Sequence, residues 1–517
     1  MHHVFFVNEI FMIICESVAE SHRGLAALAA LAQTCRSLKE ISLDVLWGRG
    51  PVDFLSVLKT LPPDSWSEIE FPFVRLASFM RSERTLTLNN IPQSLSRPIS
   101  SGELTRLRQY TTRVTHLLVI DDASMPVQTL KTLIAPHESF DWLAMWPKVK
   151  NLYWITPPEH LPFLKHFLTL DIRNLKIKLE GAEDMEVQEV LSLVESCCMN
   201  LEGLHLIDSE TRDSEEIQDT MRQIVYNNSL SLMLFYPPQD PSAPLVNDIL
   251  QLPVLQALEM HIPQIPDPTP WNILPSLEYL SFTLDESSDI IELLGTLEKS
   301  RLKEFSLICP YPTSEDDRAV LAEFFEDSGL CDSVESFTWK PTLDGGAPTW
   351  EFVTTLDSFA NIQALDLNAS CGSACCFKFR HEHVIELSLW MPQLRELNFG
   401  GPPCAFGGIT SNVGYHTLVV LAKNCPNLLQ LTIHFNIRTF MTSGYVEPNR
   451  NLAMWHLGDT AVPNNAQYQT MFALAVSKLF PNVTFMATET NARGWDMIQE
   501  EHRMLTLPAV HRELDLM

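Results

Sequence analysis

One short pattern of apolar and polar positions recurs along the chain: an apolar residue, two variable ones, a second apolar residue, one variable, and a third apolar residue. It is clearest as Leu201/Leu204/Leu206, Leu255/Leu258/Met260, Leu277/Leu280/Phe282, Leu302/Phe305/Leu307 and Val334/Phe337/Trp339. It continues as Ile362/Leu365/Leu367, Leu394/Leu397/Phe399, Leu428/Leu431/Ile433 and Leu452/Trp455/Leu457, and weaker copies begin at Val114, Val149, Ile172, Leu230 and Val483. The fourteen candidate copies lie about 28 residues apart on average, with spacings from 22 to 35. Within each copy the alternating apolar side chains share one face of a short strand, and the residues between them share the other.

A second signal is independent of the leucines. Pro147, Pro253, Pro275, Pro392, Pro426 and Pro481 all stand two positions before the first apolar residue of their copy. Proline lacks an amide hydrogen and disfavours helix in the residue before it, so it ends a helix and begins an extended segment. Between copies lie runs such as VQEVLSLVESCC, DIIELLGTLEKS, AVLAEFFEDSG, HTLVVLAKNC and FALAVSKLF, whose apolar residues recur at helical spacing. Each unit therefore reads as helix, turn, short strand. Burying a few large side chains cannot offset the ordering of so many residues, so no unit can stand alone and the copies must stack. The period is that of leucine-rich repeats. The expected class is α/β, a leucine-rich-repeat solenoid with a curved parallel sheet and helices outside, presenting an extended face suited to protein binding.

Residues 5 to 47 read differently. Ile10, Ile13, Ile14 and Val18 form one helical stripe, and a second helical pattern runs through Leu25, Leu28, Leu31, Cys35 and Leu38 to a segment closing with Leu46 and Trp47. This small all-α bundle is too short to be stable alone and so binds a partner or rests against the solenoid. The expected organisation is a helical module over 1–50, a helical linker or N-terminal cap over 51–113, the solenoid over 114–490, and a C-terminal tail or cap over 491–517.

Charge separates these regions. The chain has 36 Lys+Arg against 64 Asp+Glu, a net of −28. Residues 1–113 hold 12 against 11, whereas residues 114–517 hold 24 against 53, a net of −29. Nucleic acid as a partner is disfavoured, because its binding depends on basic residues neutralising phosphates. A basic partner is compatible with this charge, and so is a merely well-solvated surface. The start, MHHVFFVNEIFMIICESV, lacks a basic region and a cleavage site, and the later run LAALAALA is too short to span a bilayer, so neither a signal peptide nor a membrane segment is expected. Eleven scattered cysteines fit reduced thiols and a cytoplasmic or nuclear location.

The segments VNEIFMIICESV and LAALAQTCRSLKEISLDVLW resemble the F-box, whose pattern combines a Leu-Pro-x-Glu-Ile helix start, a central Cys-Arg segment and a closing Leu-Trp. The matching residues are Glu9, Ile10, Leu28, Cys35, Arg36, Leu46 and Trp47. The family's proline falls at Val7, and its aromatic after Cys-Arg falls at Leu38. The remainder looks like fungal F-box proteins with degenerate leucine-rich repeats, in LSRPISSGELTRLRQYTTRVTHLLV and in NLAMWHLGDTAVP followed by KLFPNV. The resemblance implies a small F-box-like bundle ahead of the solenoid. It also implies a substrate receptor of a Skp–cullin–F-box type ubiquitin ligase. The Skp-family linker, and through it a cullin, would meet Val7, Glu9, Ile10, Ile13, Ile14, Leu28, Leu31, Cys35, Arg36, Leu46 and Trp47. A repeat scaffold or inhibitor outside the ubiquitin system is the alternative, with the same residues serving as the core of a capping bundle.

No enzyme and no cofactor is expected. Cys371, Cys375, Cys376, His381, His383 and Cys404 lie close in sequence, but without the paired ligand spacing of a zinc site. The segment GGPPCAFGG from Gly400 to Gly408 lacks the Gly-Lys-Ser/Thr ending of a phosphate loop. Trp142, Trp146 and Trp154 read as core. Substrate contacts would fall on strand-face and loop residues such as Glu202, Gly203, Gln363 and Arg395.

Overall fold

A computed structural model describes residues 8–21, 24–34, 36–68, 93–120, 127–134, 140–210, 212, 214–238, 240–262, 276–284, 302–309, 315–327, 330–340, 350–367, 380–399, 414–433, 447–458, 466–487 and 492–506. The chain forms two compact units, Met1–Leu252 and Pro253–Met517.

The first unit opens with helices α1 (Asn8–Ala19), α2 (Gly24–Thr34) and α3 (Arg36–Gly48). Their core is Phe11, Cys15, Leu28, Leu38 and Val45, with Val18, Leu31, Ile41 and Leu46 packed around it. The α1–α2 turn is tight enough that a side chain at Gly24 would overlap the Val18 carbonyl. Then follow β1 (Pro51–Asp53), helix α4 (Phe54–Leu58), an antiparallel pair of β2 (Trp66–Glu68) and β3 (Gln93–Leu95), and the helix Ser101–Thr111. That last helix starts at a reciprocal cap: the Glu103 amide donates to the Ser100 hydroxyl, and the Ser100 amide donates back to the Glu103 carboxylate.

The remaining strands are β4 (His116–Ile120), β5 (Asn151–Ile155), β6 (Asn174–Lys178), β7 (Gly203–Ile207) and β8 (Leu234–Tyr236). Strand β1 pairs with β4, and β4 through β8 pair in chain order, all in parallel. The parallel sheet therefore begins before the first copy at Val114, because Val52 is buried opposite Leu117. The second unit carries β9 (Ala257–Ile262), β10 (Tyr279–Leu284), β11 (Glu304–Ile308), β12 (Ser336–Lys340), β13 (Ala364–Asp366), β14 (Glu396–Asn398), β15 (Gln430–Thr432), β16 (Met454–Gly458) and β17 (Thr484–Ala487). These too pair in chain order and in parallel. Sequential parallel strands joined by helical connections are the topology of a repeat stack, and both units are solenoid-like α/β bodies.

In the clear copies the described second and third apolar residues point into the core, as at Leu204 and Leu206 or Phe337 and Trp339. The helices Asp184–Cys197, Glu315–Asp327, Tyr415–Asn424 and Ala466–Leu479 occupy the helix-like runs between copies. The run DIIELLGTLEKS lies outside the described residues. The helix Ala492–Thr506 buries Trp495 and Ile498 beyond β17.

Each phased proline among the described residues opens the turn before a strand; Pro275 lies outside them. The residue ahead of it is non-helical, with φ near −120° and ψ of 47°, 66° and 71° at Trp146, Met391 and Cys425. Cys198 has the same geometry (φ −112°, ψ 74°) although Met199 follows it. The repeat imposes the bend, and proline is the residue that meets it most readily.

Two copies depart from their expected positions. In the one expected at Val483, Phe485 and not the exposed Met486 lies opposite Trp455. The other is the copy expected at Leu230. The Leu230 side chain is 84% exposed, whereas Leu232 is fully buried and Phe235, not Met233, lies opposite Leu204. The copy begins at Leu232.

Polar ties reinforce the first unit beyond β7. Arg212 is buried, its guanidinium bonded to Asp208 (2.8 Å), Asp184 (2.8 Å) and Glu210 (3.1 Å). The Gln218 amide donates to the Arg212 carbonyl at 2.8 Å, and its oxygen accepts from the Ser242 amide at 2.9 Å.

Two stability outcomes follow, each measurable by chemical unfolding monitored through tryptophan fluorescence. Leu232→Ala is expected to cost about 2–5 kcal/mol and Leu230→Ala less than about 0.5 kcal/mol, and the reverse order would return the copy to its Leu230 position. Arg212→Met, which strands the fully buried Asp208 carboxylate, is expected to cost about 3–5 kcal/mol.

Candidate functional site

Two surfaces of the first unit carry side chains that the fold itself does not consume. The first is the helical bundle. Helix α1 is apolar on nearly every side, and its core face is Phe11, Cys15 and Val18. Ile10 and Ile13, three apart on one face, are 40% and 61% exposed, and Ile14 is half-buried beside them. The expected stripe of Ile10, Ile13, Ile14 and Val18 thus divides, because only Val18 packs inward. Glu9 and Arg36 are exposed, Leu28 is fully buried in the bundle core, and Leu31, Leu46 and Trp47 are half-buried. Val7 and Cys35 lie outside the described residues.

The bundle is fastened to the first repeat. Arg113 ion-pairs with Glu40 and Asp44, the Thr115 hydroxyl donates to the Gly48 carbonyl, and the Trp47 and Tyr110 rings lie 5.5 Å apart. Trp47 at the close of α3 therefore faces Tyr110, whereas Leu46 packs on the bundle core, and Ile10 and Ile13 take part in neither contact.

The second surface is the outward face of β4 to β8. Its strand positions are His116, Leu118 and Ile120; Asn151, Tyr153 and Ile155; Asn174, Lys176 and Lys178; Gly203, His205 and Ile207; and Leu234 and Tyr236. Strand register makes Tyr153, Lys176, His205 and Tyr236 consecutive across the sheet. The His205 and Tyr236 rings stack at 4.6 Å. Burial, with Lys176 adding to it, pushes the His205 imidazole down to about 4. The Asn174 amide donates to Asn151 at 2.6 Å and lies against Gly203, where a side chain would collide with it.

Of the residues expected at the substrate, only Gly203 belongs to this face. Glu202, Gln363 and Arg395 each stand directly ahead of a strand. Arg173 meets Glu202 at 3.5 Å, and Gln363 donates to Glu335 at 2.9 Å. Sequence reasoning missed Tyr153, Lys176, His205 and Tyr236, although the signal was present. Tyr153, Lys176 and His205 are the variable residues between the second and third apolar positions of their copies, and Tyr236 takes that place only once its copy is moved to Leu232.

Cys371, Cys375, Cys376, Cys404 and the segment 400–408 lie outside the described residues. His381 pairs with Glu382 at 3.1 Å, and His383 stacks flat on Trp350 at 4.4 Å, which in turn stacks on Trp390. Among the described residues no group of three or more His, Cys, Asp or Glu is placed to hold a metal ion, and no helix is long and apolar enough to cross a membrane. Trp142, Trp146 and Trp154 are buried; Trp146 and Trp154 pack on Phe167.

The class so defined is an α/β repeat stack headed by a three-helix bundle. No protein-family model matches the chain, and no curated protein matches it.

Because His205 is held neutral in the fold, its contribution to stability is complete above its ordinary value of 6.5 and is lost as the pH falls toward 4. The thermal midpoint is expected to drop between pH 7 and pH 5, and to drop less in His205→Phe. Equal drops in the two proteins would contradict the assignment.

Proposed function

We propose that the chain is the substrate-recognition adaptor of a Skp–cullin–F-box type ubiquitin ligase. In this reading residues 1–50 bind a Skp-family linker and, through it, a cullin, while the repeat units hold a protein substrate. The observation that carries it is the pair Ile10 and Ile13, exposed on a bundle whose core is already closed by Phe11, Cys15, Leu28, Leu38 and Val45. Neighbouring aliphatic side chains left partly in water are the kind of feature that a partner covers. The F-box resemblance of the same segment names the partner class. The adaptor supplies proximity between substrate and a ubiquitin-conjugating enzyme rather than chemistry of its own.

A second reading, a repeat scaffold or inhibitor outside the ubiquitin system, draws on the ties from Arg113 and Tyr110, which would suit a bundle serving only as a cap.

Binding of the purified full chain to a Skp-family linker subunit, measured by calorimetry, separates the two. The first reading expects a complex that is lost on deleting residues 1–50. It also expects Ile13→Asp, at a solvent-facing position, to weaken the complex by about tenfold or more while leaving the thermal midpoint unchanged. No complex with the full chain, or one that survives the deletion, would sink the first reading.

A further inference from the structure

The outward face of β4 to β8 differs in charge from the sequence around it. Residues 114–252 hold 9 Lys+Arg against 21 Asp+Glu, a net of −12. Yet the fourteen outward strand positions contain two lysines and no carboxylate. Among the described residues, the carboxylates at its borders include Glu180, which holds Lys178 at 3.1 Å, and Glu202, which meets Arg173 at 3.5 Å; Asp121 and Asp122, which follow β4, lie outside the described residues. Among the described residues nothing pairs with Lys176. It sits mid-sheet between Tyr153 and His205, with the His205–Tyr236 stack continuing the row. Ile120, Ile155 and Ile207 stand one step further along their strands, exposed or half-buried.

We propose that this face binds an extended, unmodified peptide segment of the partner, in which an Asp or Glu side chain pairs with Lys176 and flanking apolar side chains rest on Tyr153, Ile155, His205 and Ile207. The inference deepens the adaptor reading by naming a substrate class. It rests on the repeats being the partner-binding part and not on the bundle.

Three physical points select this occupant. An unpaired ammonium flanked across the sheet by Tyr153 and His205, on a half-buried residue, gains most from an anion that brings its own apolar flanks. A phosphate dianion calls for several converging cations, usually arginines, and the described outward strand positions offer two lysines, of which Lys178 is already paired with Glu180. A nucleic acid could stack on the rings, but its many phosphates would meet the surrounding net charge of −12, and among the described outward strand positions only Lys176 is an unpaired cation.

The test selects a random-peptide display library on the immobilised full chain and on its Lys176→Glu variant. The wild-type chain is expected to enrich peptides with Asp or Glu between apolar residues. Lys176→Glu is expected to lose those peptides and to enrich Lys or Arg in their place. A synthetic peptide from the wild-type selection is expected to bind the variant about tenfold or more weakly by fluorescence anisotropy. Lys176→Ala serves as a second variant should charge reversal lower the thermal midpoint. Selection of no peptide, or selection of the same peptides by both chains, would overturn the proposal. So would tighter binding after phosphoserine replaces the acidic residue, or a polyuridine oligonucleotide that binds the wild-type chain and not the variant. Linker binding measured on the same proteins keeps the two readings apart. Lys176→Glu should retain it, and a wild-type chain that binds peptide but no linker defeats only the ligase assignment.

Discussion

A single backbone interaction sets the register on which the two units are built. In eleven of the copies the residue directly after the first apolar position turns its carbonyl toward the next strand, where two successive amides donate to it. Thr115 accepts from Lys150 and Asn151, Lys150 from Arg173 and Asn174, Arg173 from Glu202 and Gly203, and Glu202 from Met233 and Leu234. In the second unit the same chain runs through Gln256, Glu278, Lys303, Glu335, Gln363, Arg395 and Leu429, with distances of 2.6 to 3.1 Å. One carbonyl with two lone pairs thus satisfies two donors at the bend, where neither helix nor strand could do so. Side chains repeat the device at the turn. Asn361, Asn451 and Asn482 each donate to a carbonyl in the preceding turn, at 2.9, 2.9 and 2.7 Å.

The strands were legible because their signal is direct: the alternation of a buried and an outward residue is written in every copy. The Leu230 displacement shows where that signal stops. A shift of two residues preserves which side chains point inward, so Leu230/Met233/Phe235 and the true copy at Leu232 satisfy the same alternation. Only the pairing of Leu204 with Phe235 distinguishes them, and that is a fact about the neighbouring copy. Helix α1 fails for a related reason. Where Ile10, Phe11, Met12, Ile13, Ile14 and Cys15 are apolar without a break, periodicity cannot select the inward face. The packing of α2 and α3 selects Phe11 and Cys15. The asparagines of the turn were readable in principle, since they directly precede Ile362, Leu452 and Val483, but they lie outside the leucine pattern.

The candidate faces were harder to read than the scaffold because they consist of the residues that the repeat leaves free. Net charge placed the acidity in the repeats as a whole, a description that hides the strand face of β4 to β8, where carboxylates are excluded. Lys176 gains its significance from what stands beside it across the sheet, Tyr153 and His205, which are 23 and 29 residues away in sequence.

Because the ladder uses main-chain atoms, the outward side chains carry little of the burden of holding the strands in place. Such a scaffold separates the inheritance of shape from the inheritance of specificity. Substitutions at Tyr153, Lys176 or His205 can accumulate in a lineage without passing through unfolded ancestors, provided that the leucines and turns are kept. A chain of this kind can diverge quickly in what it grips while keeping the same skeleton. That lineage would hold its Leu-x-x-Leu-x-Leu frame long after the residues between had ceased to resemble one another.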